Sequence, residues 1–194
     1  PSSIINDEPL SFSAAQTGGE VWEPKNYDGT YDGPISMRTA LVRSKNLVSI
    51  RILQSIGPRY AQDYITRFGF EAKLHPPYLT SALGAGNATP MQMLGGYAVF
   101  ANGGYRVKPY FIQRIEDGRG AVLFEEPAAR AKGNGNAQRV IDARNAYIMT
   151  SMMRDVVRFG TAAAAMKLGR GDLAGKTGTT NDFLDAWFGG YNAE

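Results

Sequence analysis

The chain has 194 residues, 43% hydrophobic and 20% charged, with a formal net charge of +3. That is enough apolar mass for a buried core and too much for a disordered tail. Cysteine is absent and His75 is the single histidine, which excludes disulfides, thiolate nucleophiles and zinc–thiolate sites and argues against a histidine triad or a multi-histidine metal centre.

Catalysis, if present, must therefore rest on Ser, Thr, Lys, Asp, Glu or backbone groups. No apolar run reaches the roughly 18 residues of a membrane span, and no signal peptide is expected at the N-terminus. Lys and Arg are scattered, with only loose groups at Arg38, Arg43, Lys45 and Arg51 and at Arg154 and Arg158. Nucleic-acid binding needs a denser basic face, so none is expected. A cleft holding one or two cations for an anionic substrate group is compatible with this charge.

Residues 1–34 are broken every few positions by Pro and Gly and read as irregular chain, long for a compact domain. A helical pattern starts at Ile35. Asn46 suits the N-cap of a second helix with Leu47, Ile50 and Leu53 on one face, stopped by Gly57. Pro58 opens a helix to about Phe68, with Gly69 as its C-cap. Leu83-Gly84-Ala85-Gly86-Asn87 is a loop, because its spacing is not that of a dinucleotide fingerprint. Thr89-Pro90 starts a mostly apolar helix to Ala101, expected to be buried on several sides.

A hairpin is expected next, Tyr105 to Glu116 turning at 117–120 and returning over Ala121 to Glu125. Gly133 to Asn136 reads as a solvated loop. Asp142 caps a long helix to about Phe159, with Ile148, Met152 and Val156 on one face. A short helix follows over Ala162 to Leu168. Leu173 to Thr180 and Asp185 to Tyr191 read as two strands joined by 181–184. The order implies a mixed α/β fold with antiparallel pairing flanked by helices.

Two segments are candidates for chemistry. Ser44-Lys45-Asn46 lies between two helices, where Ser and Asn side chains can face one cleft; the same residues equally suit helix capping. Lys176-Thr177-Gly178-Thr179-Thr180 lies on a strand. A strand glycine often marks close approach of a ligand or another backbone, and a lysine beside three hydroxyls makes an anion site. A threonine-rich edge strand with a bulge explains it as well.

Taken together, Ser-x-Asn followed far downstream by Lys-Thr-Gly resembles the second and third elements of the serine transpeptidase and β-lactamase signature. Other stretches resemble penicillin-binding protein transpeptidase domains. These are Thr89-Pro90-Met91-Gln92-Met93, Gly96 to Gly104, Gly160-Thr161-Ala162, and Ala174 to Asp182 followed by Asp185-Ala186-Trp187-Phe188. Ile4-Ile5-Asn6-Asp7 and Trp22-Glu23-Pro24-Lys25-Asn26 are similar to class A, bifunctional members of the 1A type. The resemblance covers nearly the whole chain, and it implies that residues 1–194 are one transpeptidase-domain fragment of a serine transpeptidase-like fold, incomplete at both ends.

No Ser-x-x-Lys occurs in the chain. By resemblance, that nucleophile and its base lie upstream of Pro1, and the irregular first 34 residues have their packing partners outside the chain. The implied activity is peptidoglycan D,D-transpeptidation through an acyl-serine, with β-lactams acylating the same serine and no metal or cofactor. The resemblance implies that Ser44 relays a proton, that Asn46 holds the substrate amide or the upstream lysine, and that Lys176 supplies positive charge. It assigns Thr177 and Thr179 to the substrate carboxylate, the Thr179 N–H to an oxyanion hole, and Gly178 and Thr180 to the same substrate-binding strand. It further implies stem peptides and β-lactams as partners, a periplasmic location, a membrane anchor outside the chain, and a glycosyltransferase domain in the parent protein. A D,D-carboxypeptidase or β-lactamase of the same fold, or a non-catalytic β-lactam-binding module, remains open as an alternative.

Overall fold

A computed structural model describes residues 1–127, 137–180 and 184–192. The loop expected at 133–136 and positions 181–183 of the last turn lie outside the described residues. The elements in chain order are β1 (Ile4–Asp7), α1 (Ala14–Thr17), β2 (Gly33–Ser36), α2 (Met37–Arg43), α3 (Asn46–Ile56), α4 (Pro58–Ile65) and α5 (Pro90–Ala101). They continue with β3 (Tyr105–Arg106), β4 (Arg114–Glu116), β5 (Val122–Glu125), β6 (Gln138–Arg139), α6 (Ala143–Phe159), β7 (Ala174–Thr179) and β8 (Ala186–Tyr191). Among the described residues the strands form two-stranded antiparallel ladders, β1–β2, β3–β6, β4–β5 and β7–β8. The mixed α/β character and antiparallel pairing expected from the sequence are present.

Most helix boundaries follow local chemistry. Thr89 and Gln92 cap α5 reciprocally: Thr89 Oγ1 accepts from Gln92 N at 3.2 Å, and Gln92 Oε1 accepts from Thr89 N at 2.8 Å. Asp142 caps α6 by accepting from Arg144 N at 2.9 Å. Gly57, at φ 88°, ends α3, and Pro58 opens α4. Beyond Ile65 the expected helix tightens into a 3-10 turn over Thr66–Phe68 before Gly69.

Several expectations are corrected. The first 34 residues are not wholly irregular and do find partners within the chain. Ile4 pairs with Ser36 and Asp7 with Gly33 in the β1–β2 ladder, so Ile35 belongs to a strand rather than to the following helix. Phe12 and Trp22 exchange backbone hydrogen bonds of 3.0 and 2.9 Å and stack with ring centroids 5.3 Å apart. Phe12 is buried against Leu47 and Ile50 of α3. These pairings join residues far apart in sequence, which local periodicity does not register.

Lys45, not Asn46, occupies the N-cap position of α3, and Asn46 is its first helical residue. The α5 helix is buried on one side only: Gly95, Gly96 and Val99 are buried, whereas Leu94 is 54% exposed. The long strand expected from Tyr105 to Glu116 is split. Tyr105 and Arg106 pair with Arg139 and Gln138, and only Arg114–Glu116 form the hairpin with β5. The β7–β8 register runs unbroken from Ala174↔Tyr191 to Thr179↔Ala186, without a bulge.

The core consists of separate clusters. Leu47, Ile50 and Phe12 form one, Val99, Ala146, Val140 and Ile141 a second, and Val156, Val157 and Ala162 a third. The α6 helix is common to two of them, through Ala146 and Val156. Its outer surface also meets α2, where Arg38 pairs with Asp155 and donates to Ser151 Oγ at 3.1 Å. Replacing the fully buried Leu47 by Ala should cost about 2–5 kcal/mol. Leu94→Ala, on the exposed side of α5, should change stability by no more than about 0.5 kcal/mol. Urea midpoints of the two variants measure the contrast, and equal shifts would contradict this assignment of the core.

Candidate active site

The turn between α2 and α3 carries an unusual backbone. Ser44 adopts φ 56° and ψ 47°, and among the described residues it is the one non-glycine with positive φ. A left-handed L-residue costs about 1–2 kcal/mol, so the surroundings must enforce it. Ser44 N donates to Leu41 O at 3.1 Å and Lys45 N to Ala40 O at 2.9 Å, closing α2 in a tight turn.

Across the turn lies β7. Lys176 Nζ donates to Ser44 Oγ at 2.7 Å and to Thr177 O at 2.9 Å. Among the described residues no carboxylate pairs with Lys176, and burial pushes its pKa below the ordinary 10.5. Because the Ser44 oxygen accepts from Lys176, its own O–H remains a donor for a third group. A lysine with a weakened hold on its proton, in line with a hydroxyl, is an arrangement suited to proton transfer.

The helix α6 bridges the two sides of the site. It packs against β7 on one side and α2 on the other. At its end, Thr161 N donates to Val42 O at 3.3 Å, while Thr161 Oγ1 and Thr177 Oγ1 share a hydrogen bond of 2.6 Å. Thr161 thus ties the end of α2 to the lysine strand. Gly160 is required beside it, because a Cβ there would collide with Val42 O and the Val156 backbone.

Lys45 follows a different logic. It is 1% exposed, with Nζ at 3.0 Å from Asp28, 3.4 Å from Asp32 and 3.5 Å from Asp7. It also donates to Thr30 O and Oγ1 at 3.2 and 3.1 Å. Burial would pull its pKa down, yet the carboxylates of Asp28 and Asp32 outweigh that and hold it above the ordinary lysine value. Asp32 is held low first by Arg43, 2.8 Å away, and then by Lys45. A cavity of about 470 Å³ lined by Asp28, Thr30, Asp32, Arg43, Phe159 and Thr161 opens beside the turn and leaves Asp28 half-exposed.

The remaining sequence candidates are placed as follows. Asn46 Nδ2 donates to Lys25 O at 2.9 Å, tying the turn to the N-terminal segment. Thr177 is engaged by Thr161. Gly178 has open space where a Cβ would stand, and Thr179 is exposed beside it. Thr180 closes the β7–β8 end, its N donating to Asp185 O at 2.9 Å and its Oγ1 accepting from Asp185 N at 2.8 Å. Sequence reasoning brought Ser44 and Lys176 to one site and missed Lys45, Thr161 and Asn26. Asn26 Oδ1 accepts from Leu47 N at 3.2 Å, supplying from a distant segment the cap that α3 lacks locally. The signal for Lys45 was its position inside the Ser-x-Asn turn, with three aspartates upstream. Among the described residues no cluster of His, Cys, Asp and Glu is placed to hold a metal ion.

A family model for the penicillin binding protein transpeptidase domain matches residues 1–193. The chain is 53% identical to penicillin-binding protein 1A of Neisseria lactamica over 194 residues, covering 100% of this chain and 24% of that relative. The chain therefore spans about a quarter of the length of that curated relative. The crystal structure of penicillin-binding protein 1A from Haemophilus influenzae superposes with a TM-score of 0.87 at 32% identity, over 98% of this chain and 33% of that one. The PonA1 protein of Mycobacterium tuberculosis, solved in complex with penicillin V, shares the fold with a TM-score of 0.76 at 22% identity, over 100% of this chain and 52% of that one.

The lowered pKa of Lys176 has a thermodynamic consequence. Between its folded value and the ordinary 10.5 the unfolded chain binds more protons, so stability rises with pH through that interval. Compared with Lys176→Met, the wild type should gain stability as pH increases toward 10.5. Urea unfolding of both proteins across that range tests it, and a constant difference would place Lys176 at its ordinary value.

Proposed function

Since the chain belongs to the penicillin-binding protein transpeptidase family, we propose that residues 1–194 are part of one transpeptidase domain. On this reading, the protein containing that domain is a serine-type D,D-transpeptidase that cross-links peptidoglycan stem peptides. The observation that carries this reading is the 2.7 Å hydrogen bond from Lys176 Nζ to Ser44 Oγ, which joins the two signature elements that the sequence holds 132 positions apart.

The nucleophile is a serine outside this chain, since no Ser-x-x-Lys occurs within it. Its oxygen attacks the D-alanyl carbonyl and its proton passes to a base. The tetrahedral intermediate then expels the terminal D-alanine as an amine, leaving an acyl-serine. The departing nitrogen needs a proton. Ser44 donates its own and is resupplied by Lys176, whose burial makes that proton easier to release. An acceptor amine then attacks the ester, and the serine leaves with a proton returned along the same path. Lys176 and the hydroxyls of Thr177 and Thr179 draw the substrate carboxylate to β7. The Thr179 N–H, with that of the nucleophile, stabilises the oxyanion. Asn46 orients the substrate amide once it exchanges its present partner, Lys25 O.

β-Lactams acylate the same serine, a reading supported by the penicillin V complex of the PonA1 protein, which shares the fold. The parent protein also carries a glycosyltransferase domain and is anchored in the cytoplasmic membrane with this domain outside it. This is supported by the match to penicillin-binding protein 1A sequences about four times as long. Among the described residues no helix is long and apolar enough to cross a membrane. In the full-length protein, Lys176→Ala or Ser44→Ala should slow acylation by a fluorescent penicillin by about 100-fold or more. The 194-residue chain alone should form no covalent adduct. An unchanged acylation rate in either variant, or a labelled chain surviving denaturation, would contradict the assignment.

A further inference from the structure

We propose that Lys45, the middle residue of the Ser44-Lys45-Asn46 turn, is a positioning residue that aims the Ser44 hydroxyl at Lys176. The inference rests on the proton-relay reading of Ser44 and goes beyond it. The residues on either side of Ser44 end on the same atom. Arg43 Nη1 lies 2.8 Å, and Lys45 Nζ 3.4 Å, from Asp32 Oδ2. With both flanking side chains drawn to one side, the residue between them is turned to the other, where Lys176 waits at 2.7 Å.

The carboxylates around Lys45 are themselves held by hydrogen bonds. Asp7 is 0% exposed. Its Oδ1 accepts from Asn26 Nδ2 at 2.7 Å and its Oδ2 from Asp32 N at 3.0 Å. Asp28 Oδ1 accepts from Thr30 N at 3.0 Å. The charged groups facing Lys45 are therefore Asp7 from β1, Asp28 and Asp32 from the segment before β2, with Arg43 of α2 sharing Asp32. A buried ion pair adds little to stability compared with apolar packing, but it fixes direction. Here the direction it fixes is that of a strained left-handed residue that would otherwise relax.

The test uses the full-length protein and single-turnover acylation by a fluorescent penicillin. The rate constant is read rather than the amplitude, because amplitude counts folded molecules while the rate constant reports geometry. Lys45→Met should lower the rate constant by roughly 100-fold. Asp28→Asn, at a half-exposed carboxylate whose loss leaves Asp7 and Asp32 beside Lys45, should lower it by a smaller factor. In a Ser44→Ala background neither substitution should slow acylation further, since the hydroxyl being aimed is gone. Equal slowing in both backgrounds, or a loss of amplitude with the rate constant unchanged, would overturn the positioning role. If Lys45→Met does not fold, Asp28→Asn decides by the same comparison. A Ser44→Ala protein that acylates at the wild-type rate would instead overturn the relay reading itself, and this proposal with it.

Discussion

An ammonium group that has left water must be neutralised and fully hydrogen-bonded. Lys45 meets that requirement with three carboxylates and a threonine drawn from residues 7–32. Those partners lie on a segment rich in Pro and Gly that has little intrinsic structure. The buried cation gives the segment its path: it brings Asp7 at the end of β1, and Asp28 and Asp32 ahead of β2, to one point beneath the α2–α3 turn. Asn26 then accepts from the Leu47 N–H in the first turn of α3, and Asn46 returns the contact through Lys25 O. A single charge thus organises both the N-terminal wrap and the turn.

Two lysines meet near that turn under opposite electrostatic conditions. Lys45 is surrounded by carboxylates, which hold its proton firmly; Lys176 has hydroxyl and carbonyl partners and is weakened as an ammonium by burial. On the proposed reading, the difference separates their roles. A cation that never releases its proton suits a structural anchor, and one that releases it more readily suits a relay. The pair is kept in register by α6, which contacts β7 and α2 together, and by Thr161, bonded to Val42 O and to Thr177. Groups carried on a helix and a strand packed against one long helix are held more closely than groups on free loops.

Much of this was legible in the chain itself. Thr89-Pro90, Asp142, Gly57 and Gly69 mark helix ends because capping depends on residues within one turn. Leu47, Ile50 and Leu53 mark a buried face because helical periodicity is local. The Lys176 strand and its partner over Asp185 to Tyr191 were legible as two extended segments joined by a short turn. The Ser44 and Lys176 pair came from two short motifs whose resemblance to a known signature joined them. The β1–β2 pairing, the Phe12–Trp22 stack, the splitting of the long strand at Tyr105, and the exposed side of α5 were not legible. Each depends on which distant surface covers the element.

Sequence alone determined most helix ends, the start of α3 excepted, the absence of cysteine, and the membership signalled by Ser-x-Asn and Lys-Thr-Gly. These are properties of residue identity and of spacings within a few turns. Tertiary structure decided the handedness of Ser44, the burial of Lys45 among Asp7, Asp28 and Asp32, the engagement of Thr177 by Thr161, and the hydroxyl and carbonyl partners of the Lys176 ammonium, which meets no carboxylate among the described residues. These are electrostatic and steric outcomes. They depend on which groups meet after segments tens of residues apart have packed, and on how much water is left between them.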